Sequence, residues 1–325
     1  MLLINPGRFP PPSTSGRYLV SSTDEVFTSP DGVTWTLRSS DPGNWGRAAR
    51  VLSTNIVLLS QWGKDDPDPG LISTDNGVSW SPLTMPAETF EWAAIAENGS
   101  GTVVVVGDPD TTNPMASSTN ATSWTARSAT AHLYRGVLWA ASLGMFIAYN
   151  EGDGTDVVET STNGTTWVNR TAGASLHYWG KQMAWSGGKA VVVGKDASTD
   201  ETMILHSSNG TSWSILDPGL TEKAGEWDRT LWDGTQFVAL GNNLVTGTST
   251  DGLIITSADG VTWAAAYISD MDTPYSLVWT GTEYAVLAGA GGDEVWTSPD
   301  LVTWTNVGTL TLSAGPANML EWIPD

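Results

Sequence analysis

The chain has 325 residues, with 35 Asp and Glu against 14 Lys and Arg and a formal net charge of −21. It contains no cysteine, which excludes disulfides, thiolate metal sites and Cys nucleophiles, and so acidic a surface repels phosphate backbones, excluding nucleic-acid binding through a basic patch. Its 18 Trp, 35 Gly and 17 Pro are too many aromatics for a disordered chain and too many turn formers for a helical bundle.

The first sixteen residues, MLLINPGRFPPPSTSG, stand apart from everything that follows. Met1–Ile4 is apolar, but Asn5, Pro6, Gly7 and Arg8 come directly after it, so the pattern of a secretory signal is not met. No stretch of the chain approaches the ~18 apolar residues of a membrane span. The segment reads as an extended arm stiffened at Pro10–Pro12, with Leu2, Leu3, Ile4 and Phe9 available to anchor it on a larger assembly.

From residue 17 the chain repeats itself, and the repeat determines the fold. Trp35, Trp80, Trp124, Trp167, Trp213, Trp263 and Trp304 lie 41 to 50 residues apart, and each ends a similar segment. In order these are SPDGVTW, TDNGVSW, STNATSW, STNGTTW, SSNGTSW, SADGVTW and SPDLVTW. Ser or Thr stands one and six residues before every Trp, Asp or Asn four before, and Gly three before except at Ala121 and Leu301. Asx-Gly between strand-like runs predicts a tight hairpin of the primed type, with both residues at positive φ. The Trp then packs against the next unit.

Each hairpin is preceded by two short strands joined by a Gly-containing turn, as in YRGVLWAASLGMFIAYN (134–150) and YSLVWTGTEYAVLAG (275–289), and a third strand such as LIITS (253–257) leads into it. Four antiparallel strands in about 45 residues, repeated seven times, predict an all-β, seven-bladed β-propeller. The C-terminal ANMLEWIPD (317–325) matches the first strand of a repeat and has no hairpin after it, while the first repeat lacks that strand and starts at RYLVSS (17–22). The last strand should therefore complete the first blade and close the ring. The expected organisation is an arm over 1–16 and one propeller over 17–325.

The hairpin segments resemble the Asp-box, or bacterial neuraminidase, repeat Ser-x-Asp-x-Gly-x-Thr-Trp of sialidase-like propellers, with Ser73–Trp80 matching its full spacing. That resemblance implies the propeller fold and a structural role for the box. The overall type, Trp-rich, acidic, cysteine-free and carrying a short arm, also resembles propeller proteins of tailed-phage virions. It implies a non-enzymatic virion protein, a tail, fibre or surface decoration component in several copies. Such a protein would be made in the host cytoplasm, docked to other virion proteins by its arm, and turned toward host glycans.

Candidate sites follow from the propeller expectation, because the starts of the first strands share one face. Trp45, Trp92, Tyr134, Trp179, Trp227 and Tyr275 lead into six of them. Flat aromatics near carboxylates such as Glu91, Glu226 and Asp228 suit sugar rings, whose C–H faces stack while hydroxyls find acceptors. The same positions equally suit packing between blades or plugging of the channel. Arg47, Arg135 and Arg229 follow three of these aromatics. The sialidase resemblance implies an arginine cluster for a substrate carboxylate, so a sialidase-like glycosidase is one alternative and a cellular protein-binding scaffold another. The acidic loops 65–68, 107–110, 151–156 and 196–201 read as a solvated rim, and the three His residues lack metal-ligand spacing, so no cofactor or metal is expected.

Overall fold

A computed structural model describes residues 15–40, 45–52, 55–60, 69–86, 89–109, 113–130, 132–150, 158–170, 177–221, 224–244, 251–289, 291–313 and 315–325. These residues contain no helix and form seven antiparallel sheets, the blades of a seven-bladed propeller. Taken from the inside outward, blade 1 comprises Ala317–Pro324, Gly16–Ser22, Val26–Ser29 and Thr36–Ser39. Blades 2 to 7 follow in chain order, with inner strands Trp45–Val51, Thr89–Glu97, Tyr134–Ala140, the split pair His177–Trp179 and Ala184–Trp185, Ala224–Trp232, and Ser276–Trp279. The expected closure is present: Tyr18 pairs with Trp322 and Val20 with Leu320, so the two ends of the described chain share one sheet.

The second strand of each blade has a buried run of consecutive apolar residues, unlike the alternating strand of a half-exposed sheet. Val103–Val106 and Val191–Val193 are fully buried. Aromatic side chains cross several blades at one end. Trp322, Tyr18 and Trp35 follow one another at centroid separations of 4.8 and 6.5 Å, and Trp139, Phe146 and Trp167 at 4.8 and 6.4 Å. Trp232, Phe237 and Trp263 repeat the arrangement at 4.7 and 6.4 Å. The repeated Trp residues thus pack on the core, Trp263 buried and the other six partly buried.

The Ser-Asx segments are turns on the lower face, but not the primed hairpins expected from Asx-Gly. In blade 1 the Ser29 hydroxyl donates to Asp31 Oδ1 at 3.0 Å and accepts the Gly32 N–H at 2.9 Å, while Asp31 Oδ1 accepts the N–H groups of Val33 and Thr34 at 2.9 and 2.7 Å. The carboxylate does the work of a backbone carbonyl, so one residue at positive φ suffices. That residue is Gly32, Gly164, Gly210 or Gly260 in four blades and Ala121 or Leu301 in two more. Blade 2 is one residue longer. There Asp75, not Asn76, caps the turn, and both Asn76 and Gly77 take positive φ.

Candidate functional site

The inner strands begin on the opposite, upper face, and most carry an irregularity there. Register shifts follow Trp45, Trp92, Tyr134 and Trp227, leaving Gly46, Ala93, Arg135 and Asp228 as the bulged residues. A bulge drops a residue out of the ladder and re-aims its side chain. Blade 5 goes further, because its inner strand breaks between Trp179 and Ala184. Here the Lys181 N–H donates to the Asp228 carbonyl at 2.7 Å, and Gln182 bridges in parallel to Arg229. Blades 5 and 6 therefore share backbone bonds at the channel.

The leading aromatics are packed rather than presented. Trp92, Tyr134, Trp179 and Trp227 are 2%, 1%, 2% and 5% exposed, and Tyr275 is partly buried. The reason is glycine on the facing strand. A Cβ on Gly194 would come within 2.5 Å of the Trp179 ring, and one on Gly241 within 3.1 Å of the Trp227 ring. Both indoles pack closely against bare backbone and are buried, which leaves them no exposed face for a sugar. Trp45 opens the blade 2 inner strand opposite Ser60, and the side chains of Trp45 and Arg47 lie outside the described set. So do Leu2, Leu3, Ile4 and Phe9 of the arm. Among the described residues, an aromatic exposed at this face is Tyr178, 40% exposed, with Lys195 Nζ 5.9 Å from its ring centroid.

The charged residues are brought together in pairs. Arg229, only 3% exposed, places Nη2 2.8 Å from Glu321 Oε1 and Nε 3.8 Å from Asp228 Oδ2. Glu321 belongs to blade 1, so this contact joins blades 6 and 1 across the intervening blade 7. Lys181 Nζ lies 3.1 Å from Asp228 Oδ1. In blades 3 and 4, Arg135 Nη1 meets Glu91 Oε1 at 2.8 Å. Burial opposes the charge on Arg229, and Glu321 and Asp228 outweigh it, holding the guanidinium protonated more firmly than usual. Burial foremost, then the charges of Asp293 and Asp228, pushes the Tyr275 phenol up, so it stays neutral.

Arg135 and Arg229 therefore do not join a free cluster for a substrate carboxylate. Each already holds a carboxylate of this chain, and an incoming anion would have to displace it. Sequence reasoning missed Lys181 and Glu321. Glu321 was legible, since the corresponding residues before the inner-strand Trp are Leu138, Ala184, Leu231 and Val278. Lys181 was not, because only the strand break brings it to Asp228. Among the described residues no group of three or more His, Cys, Asp or Glu could hold a metal ion. In the loop 196–201, Asp196 instead accepts the N–H groups of Ser198 and Thr199, at 2.8 and 3.0 Å.

No protein-family profile and no curated protein matches this sequence. Solved structures do match its shape. A GH74 xyloglucanase from Xanthomonas campestris superposes with a TM-score of 0.65 at 13% identity, over 98% of this chain and 55% of that one. A protein from Lactobacillus plantarum gives 0.64 at 9% identity, over 95% and 99%. AztD from Citrobacter koseri gives 0.57 at 10%, over 95% and 98%. The chain spans about half the length of the xyloglucanase, and at these identities the likeness is one of fold: this chain is a seven-bladed propeller similar in shape to glycoside hydrolases and to other propeller proteins alike.

Proposed function

We propose that this chain is a non-catalytic binding propeller of a tailed-phage virion, held to other virion proteins through residues 1–16 and turned toward host surface glycan. The observation that carries the non-catalytic reading is the pairing of Arg229 with Asp228 and Glu321, and of Arg135 with Glu91. Charge at the channel mouth is spent on joining blades and not held ready for a reacting group. The virion placement is supported by the cysteine-free, acidic, Trp-rich composition and by the Asp-box-like turns. Glycan contact is assigned to the upper face around Tyr178, whose ring is open beside Lys195.

A second reading, a glycoside hydrolase, is favoured by one observation. The Tyr275 hydroxyl is buried without a hydrogen-bond partner among the described residues and lies close enough to feel the Asp228 charge, in a fold that glycoside hydrolases share. A glycan array scored for retention and, by mass spectrometry, for cleavage separates the two. Retention without cleavage, lost in Tyr178→Ala, is the expected result. Cleavage abolished by Asp228→Asn would establish the hydrolase, and neither retention nor cleavage would remove the glycan role. Trp179→Ala is no test of binding, because emptying so buried a site costs about 3–5 kcal/mol of stability.

A further inference from the structure

The seven lower-face turns share one capping scheme, longer by a residue in blade 2, but differ in composition, and the difference is sorted around the ring. Blades 6, 7, 1 and 2 are consecutive, and their turns carry Asp259, Asp300, Asp31 and Asp75 as the capping residue. Blades 3, 4 and 5 carry Asn120, Asn163 and Asn209 in the same role. Two residues before the Trp, the first group has Val261, Val302, Val33 and Val78, exposed by 40%, 81%, 55% and 48%, and the second has the exposed Thr122, Thr165 and Thr211. At the residue preceding the capping Asx, the arc of four has Ala258, Pro299, Pro30 and Thr74, whereas blades 3 to 5 have Thr119, Thr162 and Ser208, all exposed.

The turn itself requires none of this. It needs one side-chain oxygen to accept two N–H groups, and Asn120 does so at 3.0 and 2.8 Å much as Asp31 does at 2.9 and 2.7 Å. The carboxylates are therefore surplus charge as far as folding goes, and the exposed valines are surplus apolar surface. Within the arc, the outer strand of blade 7 lies against the blade 1 turn, where a Cβ on Gly308 would sit 3.7 Å from Val33 Cα. Backbone N–H groups of the turn hold Asp31, Asp259 and Asp300 below the usual carboxylate range, and the Ser79 hydroxyl foremost does so for Asp75, so all four stay ionised. Among the described residues two cations approach the borders of the arc: Lys189 donates to the Asp259 carbonyl at 2.7 Å, and Arg17 lies 3.6 Å from the Asp325 carboxylate that Asn76 also meets.

We propose that the arc over blades 6, 7, 1 and 2 is a docking surface for a protein partner that presents apolar side chains flanked by lysine or arginine. Charge complementarity selects that chemistry: exposed Val alternates with ionised Asp over four neighbouring turns, which disfavours an acidic partner, a nucleic acid or an anionic membrane. The Asp325 N–H bonds the Ser15 carbonyl at 3.1 Å and Asp325 Oδ1 accepts from Asn76 of the blade 2 turn at 3.3 Å, so the first described residue borders the arc. The inference does not rest on the virion reading, since the arc belongs to the propeller in any setting.

The probe is a displayed random dodecapeptide library panned on the immobilised full chain. The comparison protein carries Val33→Thr, Val78→Thr, Val261→Thr and Val302→Thr with Asp31→Asn, Asp75→Asn, Asp259→Asn and Asp300→Asn. These residues already serve blades 3 to 5, so the variant should fold, as checked by its thermal transition. Enriched peptides should combine apolar with basic residues, bind the variant at least tenfold more weakly, and bind unchanged to a control with Thr122→Ser, Thr165→Ser and Thr211→Ser. Equal binding to all three proteins, enrichment without basic residues, or no enrichment would overturn the proposal. So would sedimentation showing that the arc pairs with a second copy of the chain, or selected peptides displaced by glycan at the upper face.

Discussion

Arg229 shows how a single residue can be visible in a sequence and yet misread. Its spacing after Trp227 suggested a ligand for an anion, whereas the fold buries it between Asp228 and Glu321. Removing one member of such a group leaves uncompensated charge in a site that water reaches poorly, typically at a cost of about 3–5 kcal/mol. Arg229→Met should therefore lower the thermal midpoint clearly, and Arg229→Met combined with Glu321→Gln should recover much of the loss. A double variant no better than the single one would show that the pair is not coupled. The leading aromatics teach the same lesson. Trp179 and Trp227 were legible as large residues at repeated positions, but their burial depends on Gly194 and Gly241, which lie on the facing strand and were not read with them.

Among the elements, the Ser-Asx turn was the most legible, because its residues recur seven times. What the repeat did not disclose was the mechanism. Asx-Gly suggested two residues at positive φ, but the Asp or Asn side chain supplies the acceptor that closes the turn, leaving positive φ to a single residue in six of the seven blades. Where that residue is Ala121 or Leu301, packing compensates, since both are buried in the core between blades. The turns also set an acid limit on the fold. Asp75 and Asp259 are lowered from 3.8 to about 2 by hydrogen bonds within their own turns. A carboxylate whose folded pKa is depressed contributes stability that is complete above the unfolded value and disappears as pH falls through the folded one. Thermal midpoints should therefore fall between about pH 4 and pH 2, and less steeply when the four capping Asp residues are replaced by Asn. Equal slopes would show that the carboxylates carry no such linkage. The broken inner strand of blade 5 had no comparable signal, because Gly180 and Lys181 look ordinary until blade 6 supplies Asp228 and Arg229 to bond with.

For the whole molecule, ring closure is the decisive feature. The strand Ala317–Pro324 completes blade 1 from the far end of the chain, and without it Gly16–Ser22 would present an unpaired edge toward the channel. Deleting 317–325 should abolish the cooperative thermal transition and produce aggregation. Deleting 1–14 should leave that transition intact while removing the chain from assembled particles, and a truncated chain that still assembles would overturn the role assigned to the arm. The sequence by itself determined the blade count, the strand order within a blade and the closure, because a sevenfold repeat states its own period and an orphan strand at one end answers a missing strand at the other. Which charges meet across the channel, which aromatics lose their exposed face, and how four of the seven turns come to lie side by side were settled by the tertiary structure. Those facts depend on residues from different blades, such as Arg229 and Glu321, which are far apart in the chain and meet only once the ring has closed.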